Sequence, residues 1–478
     1  MAVLEWIFTV CVLAGGLPLV AGCYQFALAG LHRFRRRSIG VLEHEPHVAV
    51  LVPAWNEAFV IGRTIDTLLA LDYPEDRLRV YVVDDASTDE TPDVVLAKAA
   101  EHPGRVFHLR RAKGGEGKAH TLNHGLRQIR AEGWYDAVLV IDADVIFTFR
   151  SLRRMVRHLA DPSVGAVTGY IKEGSRPANF MNRFISFEYI AAQAGARRAQ
   201  NVLGAQACLA GGAQLLRREA LEAIGGEIDT SSLAEDTFTT FNVQLSGRRV
   251  VFEPHAIVWA EEPRDIAGLW KQRVRWGRGN VQVTLRYRRA WLRRNSSGRL
   301  GGISFALIWF SVFLMPALMV LSSVSLVSLF VLDRELSIDV FSTLWALNLV
   351  TYSFVTLSAF AQDGPAARRS WLEAITFPGL ISLTIIAFTT ADPLLDALPD
   401  WLLLFAYVWL SASMLAAYLV RRLEAVPYAG RLAPLLLYVV GYGPLLCAIT
   451  AAAYVSELRR ADMAWEKTEK TGAVGDMA

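Results

Sequence analysis

Cysteine is scarce. The chain of 478 residues carries four, Cys11, Cys23, Cys208 and Cys447, scattered without metal-ligand spacing and without a pattern that suggests disulfides. An excess of one charge is also lacking: 49 Lys and Arg against 46 Asp and Glu leave a formal +3. That balance is no global signature of a polyanion partner, and nucleic acid is not an expected ligand. The Gly-x-x-x-x-Gly-Lys-Ser/Thr phosphate loop is missing, as are internal repeats and low-complexity stretches. Charge itself is nearly absent from six runs, residues 3–31, 303–332, 340–361, 371–390, 401–420 and 432–455. Each is about long enough to cross a bilayer.

What is there divides the chain. After the first run comes His32-Arg33-Phe34-Arg35-Arg36-Arg37. A cleaved signal peptide carries its positive charge before the apolar stretch, so an uncleaved span with its C-terminal end in the cytoplasm is expected. The organisation read from this is a span with its basic flank (1–38), a cytoplasmic domain (40–262), interfacial amphipathic helices (263–300), further spans (301–457) and a polar tail (458–478). Between Arg264 and Arg299 there are eleven Lys or Arg and one acid, Asp265, which suits a helix on the cytoplasmic membrane surface. Arg368-Arg369 and Arg421-Arg422 read as cytoplasmic loops, and the acidic 392–400 loop as external. Six spans would put Arg459-Arg460 outside. One run is therefore expected to be re-entrant or interfacial, giving five spans and a cytoplasmic tail.

The middle of the chain alternates short apolar strands with amphipathic helices. Strands are expected at 47–52, 78–83, 106–109, 137–141 and 248–253, and helices at 58–71, 91–100, 118–130, 179–200 and from about 235 to 246. This implies a doubly wound α/β sheet, whose ligands collect at the carboxyl ends of the strands. Three of the first four strands end in polar clusters. The aromatic stripe Phe180, Phe184, Phe187 and Tyr189 fits core packing, with ligand stacking as the alternative.

Individual motifs are ambiguous. Asp142-Ala143-Asp144 can hold Mg²⁺ or Mn²⁺ against nucleotide phosphates, or merely form a turn. Asp84-Asp85 can accept a uracil N–H or cap the next helix. Lys113 and Lys118, with Gly114, Gly115 and Gly117, make a basic loop entering a helix, which suits phosphate. Glu235-Asp236 opens a helix, where an anion is stabilised, as a base or as a cap. Gln272, Arg275 and Trp276 lie at i, i+3 and i+4 and share a helical face, on a site or on a membrane interface.

Their order is more specific than any one of them. Val-Pro-x-x-Asn-Glu (52–57), Asp-Asp-x-Ser (84–87), Lys-Ala-x-x-Leu-Asn (118–123), Asp-x-Asp, Glu-Asp, Gln-x-x-Arg-Trp and then spans resembles the family 2 membrane glycosyltransferases. This is the group of cellulose, chitin, hyaluronan and poly-N-acetylglucosamine synthases. The resemblance covers roughly residues 45–300, and the run from Leu269-Trp270-Lys271-Gln272 looks most like the poly-N-acetylglucosamine branch. It implies a family A type glycosyltransferase fold fused to a transmembrane helical bundle. It also implies a multi-pass inner-membrane location, a UDP-sugar donor, a growing glycan acceptor, a Mg²⁺ or Mn²⁺ cofactor, and room for accessory secretion subunits. By the same resemblance Pro53, Ala54, Trp55, Glu57 and Asp85 cradle the uridine, with Lys118 near the nucleotide. Asp142 contacts the ribose or phosphate side, Asp144 the metal, and Asp236 is the general base. Gln272, Arg275 and Trp276 close over the diphosphate and acceptor end. Two departures stand out: Ala86 where glycine is usual, and Ala234 in place of the threonine common before Glu-Asp. No cellulose-synthase gating motif follows Trp276.

The expected activity is inverting transfer from a UDP-sugar to an exported polysaccharide. The alternatives are transfer of one sugar to a lipid carrier or glycolipid, or a transporter with a nucleotide-sensing domain. A transporter should carry charges along a path through its spans, and the spans have almost none.

Overall fold

The computed structural model describes residues 2–34, 44–293, 300–390, 399–461, Gly472 and Val474. The expectations for Arg35–Arg37, most of the 392–400 loop and most of the tail lie outside the described residues.

Eight strands form one sheet: β1 (Val48–Ala54), β2 (Leu78–Asp84), β3 (Val106–Arg110), β4 (Ala137–Val140), β5 (Ile146–Phe147), β6 (Val164–Glu173), β7 (Gln214–Arg217) and β8 (Arg249–Ala260), in the order β3-β2-β1-β4-β7-β6-β8-β5. The first four are mutually parallel. β1 is buried along its whole length, as a strand covered on both faces must be, and so it reads as a continuous apolar run. Its alternate residues serve two cores. Val48, Val50 and Val52 pack with Ile61, Ile65 and Leu68 of the Ala58–Leu69 helix. Ala49 and Leu51 pack with Leu122, Leu126 and Ile129 of the Lys118–Glu132 helix. That helix approaches closely at Gly125, where a Cβ would stand 2.7 Å from Val83 Cγ2.

The sheet is doubly wound but mixed. β7 lies antiparallel between β4 and β6, while β6 and β8 run parallel to each other. The carboxyl ends of β1, β2, β4, β6 and β8 therefore share one edge. The long helix before β7 runs as Phe180–Tyr189, a wider turn at Ile190–Gly195, and Ala196–Leu203. Its aromatic stripe packs: Phe184 stacks on Tyr442 with ring centroids 4.9 Å apart.

Among the described residues, five helices are long and apolar enough to cross a membrane: Ala2–His32, Met315–Leu332, Arg334–Gln362, Leu372–Thr390 and Asp400–Glu424. The run at 303–332 is not one helix. The eleven residues Ile303–Phe313 form their own segment, and Pro316 sits in the first turn of the next helix, where its missing N–H costs nothing. The last run is bent by 101° between Ala429–Val440 and Tyr442–Leu458, at Gly441 with φ 99°. This is the run that departs from a straight span.

The Ile266–Arg286 helix links the two halves. Asp265 caps it, accepting from Gly268 N at 2.6 Å. Two glycines let it pack tightly: a Cβ at Gly277 would meet Ala453 Cβ at 2.8 Å, and one at Gly279 would meet Ala234 Cβ at 2.5 Å. The helix is thus wedged between the last apolar helix and the residue before Glu235-Asp236. An alanine at 234 fits that close approach.

Candidate active site

The loops after β1 and β2 are stitched together. Asn56, at φ 54°, donates from its N–H to Ser87 Oγ at 2.9 Å, and its Oδ1 accepts from Thr88 N at 2.8 Å. Glu57 N donates to Thr91 Oγ1 at 2.7 Å. These bonds hold Pro53, Ala54, Trp55 and Glu57 beside the end of β2. Asp84 is fully buried and accepts from Ser87 N at 2.8 Å and Arg110 Nη1 at 2.9 Å. Burial alone would raise its carboxyl, but hydrogen bonds from His108 and Ser87 outweigh that and hold it low. Of this pair, Asp84 is the turn-former.

Asp85 pairs with Arg111 and accepts from Gly115 N at 2.8 Å. The basic glycine loop is thereby folded back over the second strand end. Gly114 is required there, because a Cβ would lie 2.0 Å from Asp85 O. Ala86 takes φ 56°, the left-handed conformation that a glycine at this position would adopt without strain.

Lys118 is the centre of the next group. Its Nζ lies 2.6 Å from Asp142 Oδ1, 3.3 Å from Gly211 O and 3.7 Å from Glu235 Oε1. Burial works against its charge, but Asp142 and Glu235 outweigh it and hold the ammonium protonated above its usual range. Gly211 marks the meeting point. A Cβ there would be 3.3 Å from Lys118 Nζ, 3.4 Å from Asp236 Oδ2 and 3.9 Å from Asp142 Oδ2. Asp236, in the first turn of the Glu235–Leu245 helix, accepts from Thr237 N at 2.6 Å. The neighbouring Glu235 carboxyl is raised by burial and by Asp236, against the pull of Lys118 and Arg275. Residues far apart in sequence thus meet at the carboxyl edge of the sheet.

Asp142 and Asp144 offer only oxygen ligands, and both are partly exposed. Among the described residues no group of three or more His, Cys, Asp or Glu converges to cage a metal. Two carboxylates fit a Mg²⁺- or Mn²⁺-type ion, which takes one or two protein carboxylates and completes its shell with phosphate oxygens and water.

The Gln-x-x-Arg-Trp helix is split in its commitments. Arg275 reaches the site electrically, as one of the charges acting on Glu235. Gln272 Nε2 instead donates to Glu262 Oε2 at 3.2 Å, and its Oε1 accepts from Arg273. Trp276 is 36% exposed, with the Arg273 guanidinium 4.0 Å over its ring. Arg273 makes a fork-to-fork pair with Glu188 at 3.1 Å on both arms, and Tyr442 donates to the same carboxylate at 2.6 Å. Tyr189 donates to Glu262. Sequence reasoning missed Arg273, Glu188, Glu262 and Gly211. Glu188 could have been flagged as a charge interrupting an aromatic stripe.

A family model described as glycosyltransferase like family 2 matches residues 46–279. The chain is 35% identical over 244 residues to a Bacillus subtilis protein named "Probable glycosyltransferase YdaM", across 51% of this chain and 57% of that one. It is 31% identical over 241 residues to the poly-beta-1,6-N-acetyl-D-glucosamine synthase of Staphylococcus aureus, across 50% and 56%. The Staphylococcus epidermidis synthase is 28% identical over 256 residues, across 53% and 60%. The chain therefore spans little more than half the length of these relatives. Among solved structures, a Pyrobaculum calidifontis mannosyltransferase in complex with GDP-Man and Mn²⁺ shares the fold, with a TM-score of 0.57 and 24% identity over 76% of this chain and 99% of that one. The motif order, the mixed sheet and the matched span agree: residues 46–279, just under half of the chain, match the glycosyltransferase like family 2 model.

Proposed function

We propose that the protein is a multi-pass membrane enzyme whose cytoplasmic domain elongates a polysaccharide from a UDP-sugar, with UDP-N-acetylglucosamine or UDP-glucose as donor, and passes the product outward. The observation that carries this is the convergence of Lys118, Asp142, Glu235 and Asp236 on Gly211. It puts a cation and several carboxylates at the strand edge where α/β sheets bind ligands. The relatives named as poly-N-acetylglucosamine synthases support the donor class.

In the proposed reaction, Asp236 removes a proton from an acceptor sugar hydroxyl. That oxygen attacks the anomeric carbon from the face opposite the nucleotide, and the bond to the diphosphate breaks with inversion. The loops carrying Pro53, Ala54, Trp55, Glu57 and Asp85 hold the uridine. For Asp85 to accept a uracil N–H, Arg111 or Gly115 must yield one of its carboxylate oxygens. Lys118 and Arg275 offset negative charge at the leaving group, in a site whose burial strengthens both. Asp144, with Asp142, would hold Mg²⁺ or Mn²⁺, which supplies Lewis-acid stabilisation of the diphosphate. Trp276 walls the acceptor end. Gln272, held by its bond to Glu262, closes with Arg275 and Trp276 over the diphosphate and acceptor end.

The test is to incubate membranes containing the protein with a panel of UDP-sugars and Mg²⁺ or Mn²⁺, measure UDP release, and digest the product with linkage-specific hydrolases. The proposal expects one preferred donor and a polymer ladder sensitive to one hydrolase. A single-sugar lipid product would replace the polymer reading, and absence of UDP release from every donor would overturn the activity.

A further inference from the structure

Three elements far apart in the chain meet behind the Gln-x-x-Arg-Trp face. Glu188 comes from the Phe180–Tyr189 helix, Arg273 from the Ile266–Arg286 helix, and Tyr442 opens the Tyr442–Leu458 helix. Arg273 donates from Nε to Glu188 Oε1 and from Nη2 to Oε2, both at 3.1 Å, and the Tyr442 hydroxyl donates to Oε2 at 2.6 Å. The pair is withdrawn from solvent: the Arg273 side chain is 5% exposed and that of Glu188 15%. Burial works against the charge on Arg273, but Glu188 and its neighbours outweigh it and hold the guanidinium protonated above its usual range.

Such a pair adds little net stability, because desolvating two charges offsets most of their attraction. What a two-armed pair does fix is orientation. Here the oriented group has further contacts. Arg273 Nη1 donates to Gln272 Oε1, and the guanidinium lies 4.0 Å over the Trp276 ring. One planar group therefore touches two of the side chains assigned to the diphosphate and acceptor end, while Glu188 grips it by its other nitrogens. Tyr442 is held in turn. Its ring stacks on Phe184 with centroids 4.9 Å apart. It follows Gly441, where φ is 99° and the last run bends by 101°.

We infer that Glu188 and Tyr442 are positioning residues for sugar transfer: through Arg273 they set where Gln272 and Trp276 stand over the donor. The inference rests on the closure of Gln272, Arg275 and Trp276 proposed above. The same bonds tie the last apolar helix to the site.

The full-length protein is purified in detergent. Its kcat and donor KM are measured by UDP release from UDP-N-acetylglucosamine and UDP-glucose, beside its unfolding temperature. Tyr442→Phe keeps the stacked ring and removes only the hydroxyl bond; it should lower kcat about threefold, at a donor KM within about twofold of the parent's. Glu188→Gln should lower kcat about tenfold, and because it leaves Arg273 buried without its counter-charge its Tm should fall as well. Glu188→Gln combined with Arg273→Gln removes both charges, so Tm should return toward the parent's while kcat stays about tenfold down. Recovery of kcat together with Tm in the double variant, or losses confined to donor KM, would overturn the positioning role. An active parent with parent-like kcat in Tyr442→Phe and Glu188→Gln would overturn this role alone. An inactive parent would overturn the proposed transfer and this role with it.

Discussion

Replacing Gly211 by alanine puts one methyl group where the site converges. The added Cβ would stand 3.3 Å from Lys118 Nζ and 3.4 Å from Asp236 Oδ2, contacts that must open by a few tenths of an ångström. Gly211 does not have positive φ, so its backbone accepts alanine. Stability should hold, or rise by about 0.4–1 kcal/mol through the loss of unfolded-state freedom. Activity should not hold. Lys118 would have to leave its 2.6 Å bond to Asp142 or its 3.3 Å bond to Gly211 O. A hydrogen bond to a charged group contributes about 1.5–3 kcal/mol. At about 1.4 kcal/mol per decade, the loss in kcat/KM is roughly ten- to a hundredfold. The assay is UDP release per mole of purified protein, alongside thermal unfolding. A kcat/KM within about twofold of the parent at unchanged Tm would refute the catalytic meaning of the convergence. A collapsed Tm would refute the packing argument.

Gln282 ties the loop before Glu235-Asp236 to the last helix: its Oε1 accepts from Ser232 Oγ and Leu233 N, both at 3.0 Å, and its Nε2 donates to Glu457 at 3.2 Å. Gln282→Leu should lower kcat roughly tenfold, by about 1.4 kcal/mol, with the donor KM unchanged; steady-state kinetics decide it, and a KM-only effect would contradict the positioning role. Glu253 is buried and pairs with Arg157 at 2.8 Å, His158 at 2.7 Å and His255 at 2.9 Å. Burial works to raise its carboxyl, but hydrogen bonds from His158, His255 and Arg157 outweigh it and hold it well below 4.5. Its folded-state pKa is depressed, so its contribution to stability is present above about 4.5 and is lost as pH falls toward the folded value. Unfolding temperatures measured from neutral to acid pH should decline less steeply in Glu253→Gln, from a lower start.

The parallel half of the sheet was legible because β1 and β4 are buried on both faces and show as apolar runs, and β2 shows one from Val80 to Val83 after Arg79. Motif order singles out Lys118, Asp142 and Asp236 in the sequence, and the structure sets all three around Gly211. β7 was not: four residues, Gln214–Arg217, are too short to show a period, and their antiparallel place depends on partners far away in sequence. Gly211 carried no side chain to notice; its importance is that nothing fills the space where three charged groups meet. Gln272, Arg275 and Trp276 lie on one helix at the spacing the sequence shows, and the bonds of Gln272 to Glu262 and of Arg273 to Glu188 depend on partners outside that helix. The break at residues 313–315 and the 101° bend at Gly441 were hidden inside runs whose hydropathy never falters.

The central claim is that Asp236 is the base of a sugar-nucleotide transfer, and the direct measurement is turnover against donor binding in Asp236→Asn. The substitution keeps shape and the hydrogen bond from Thr237 N, and removes only the ability to take a proton. The account predicts that UDP release and polymer formation disappear while UDP binding, followed by calorimetry on the full-length protein, stays close to the parent's. Sustained turnover in Asp236→Asn with binding intact would contradict it.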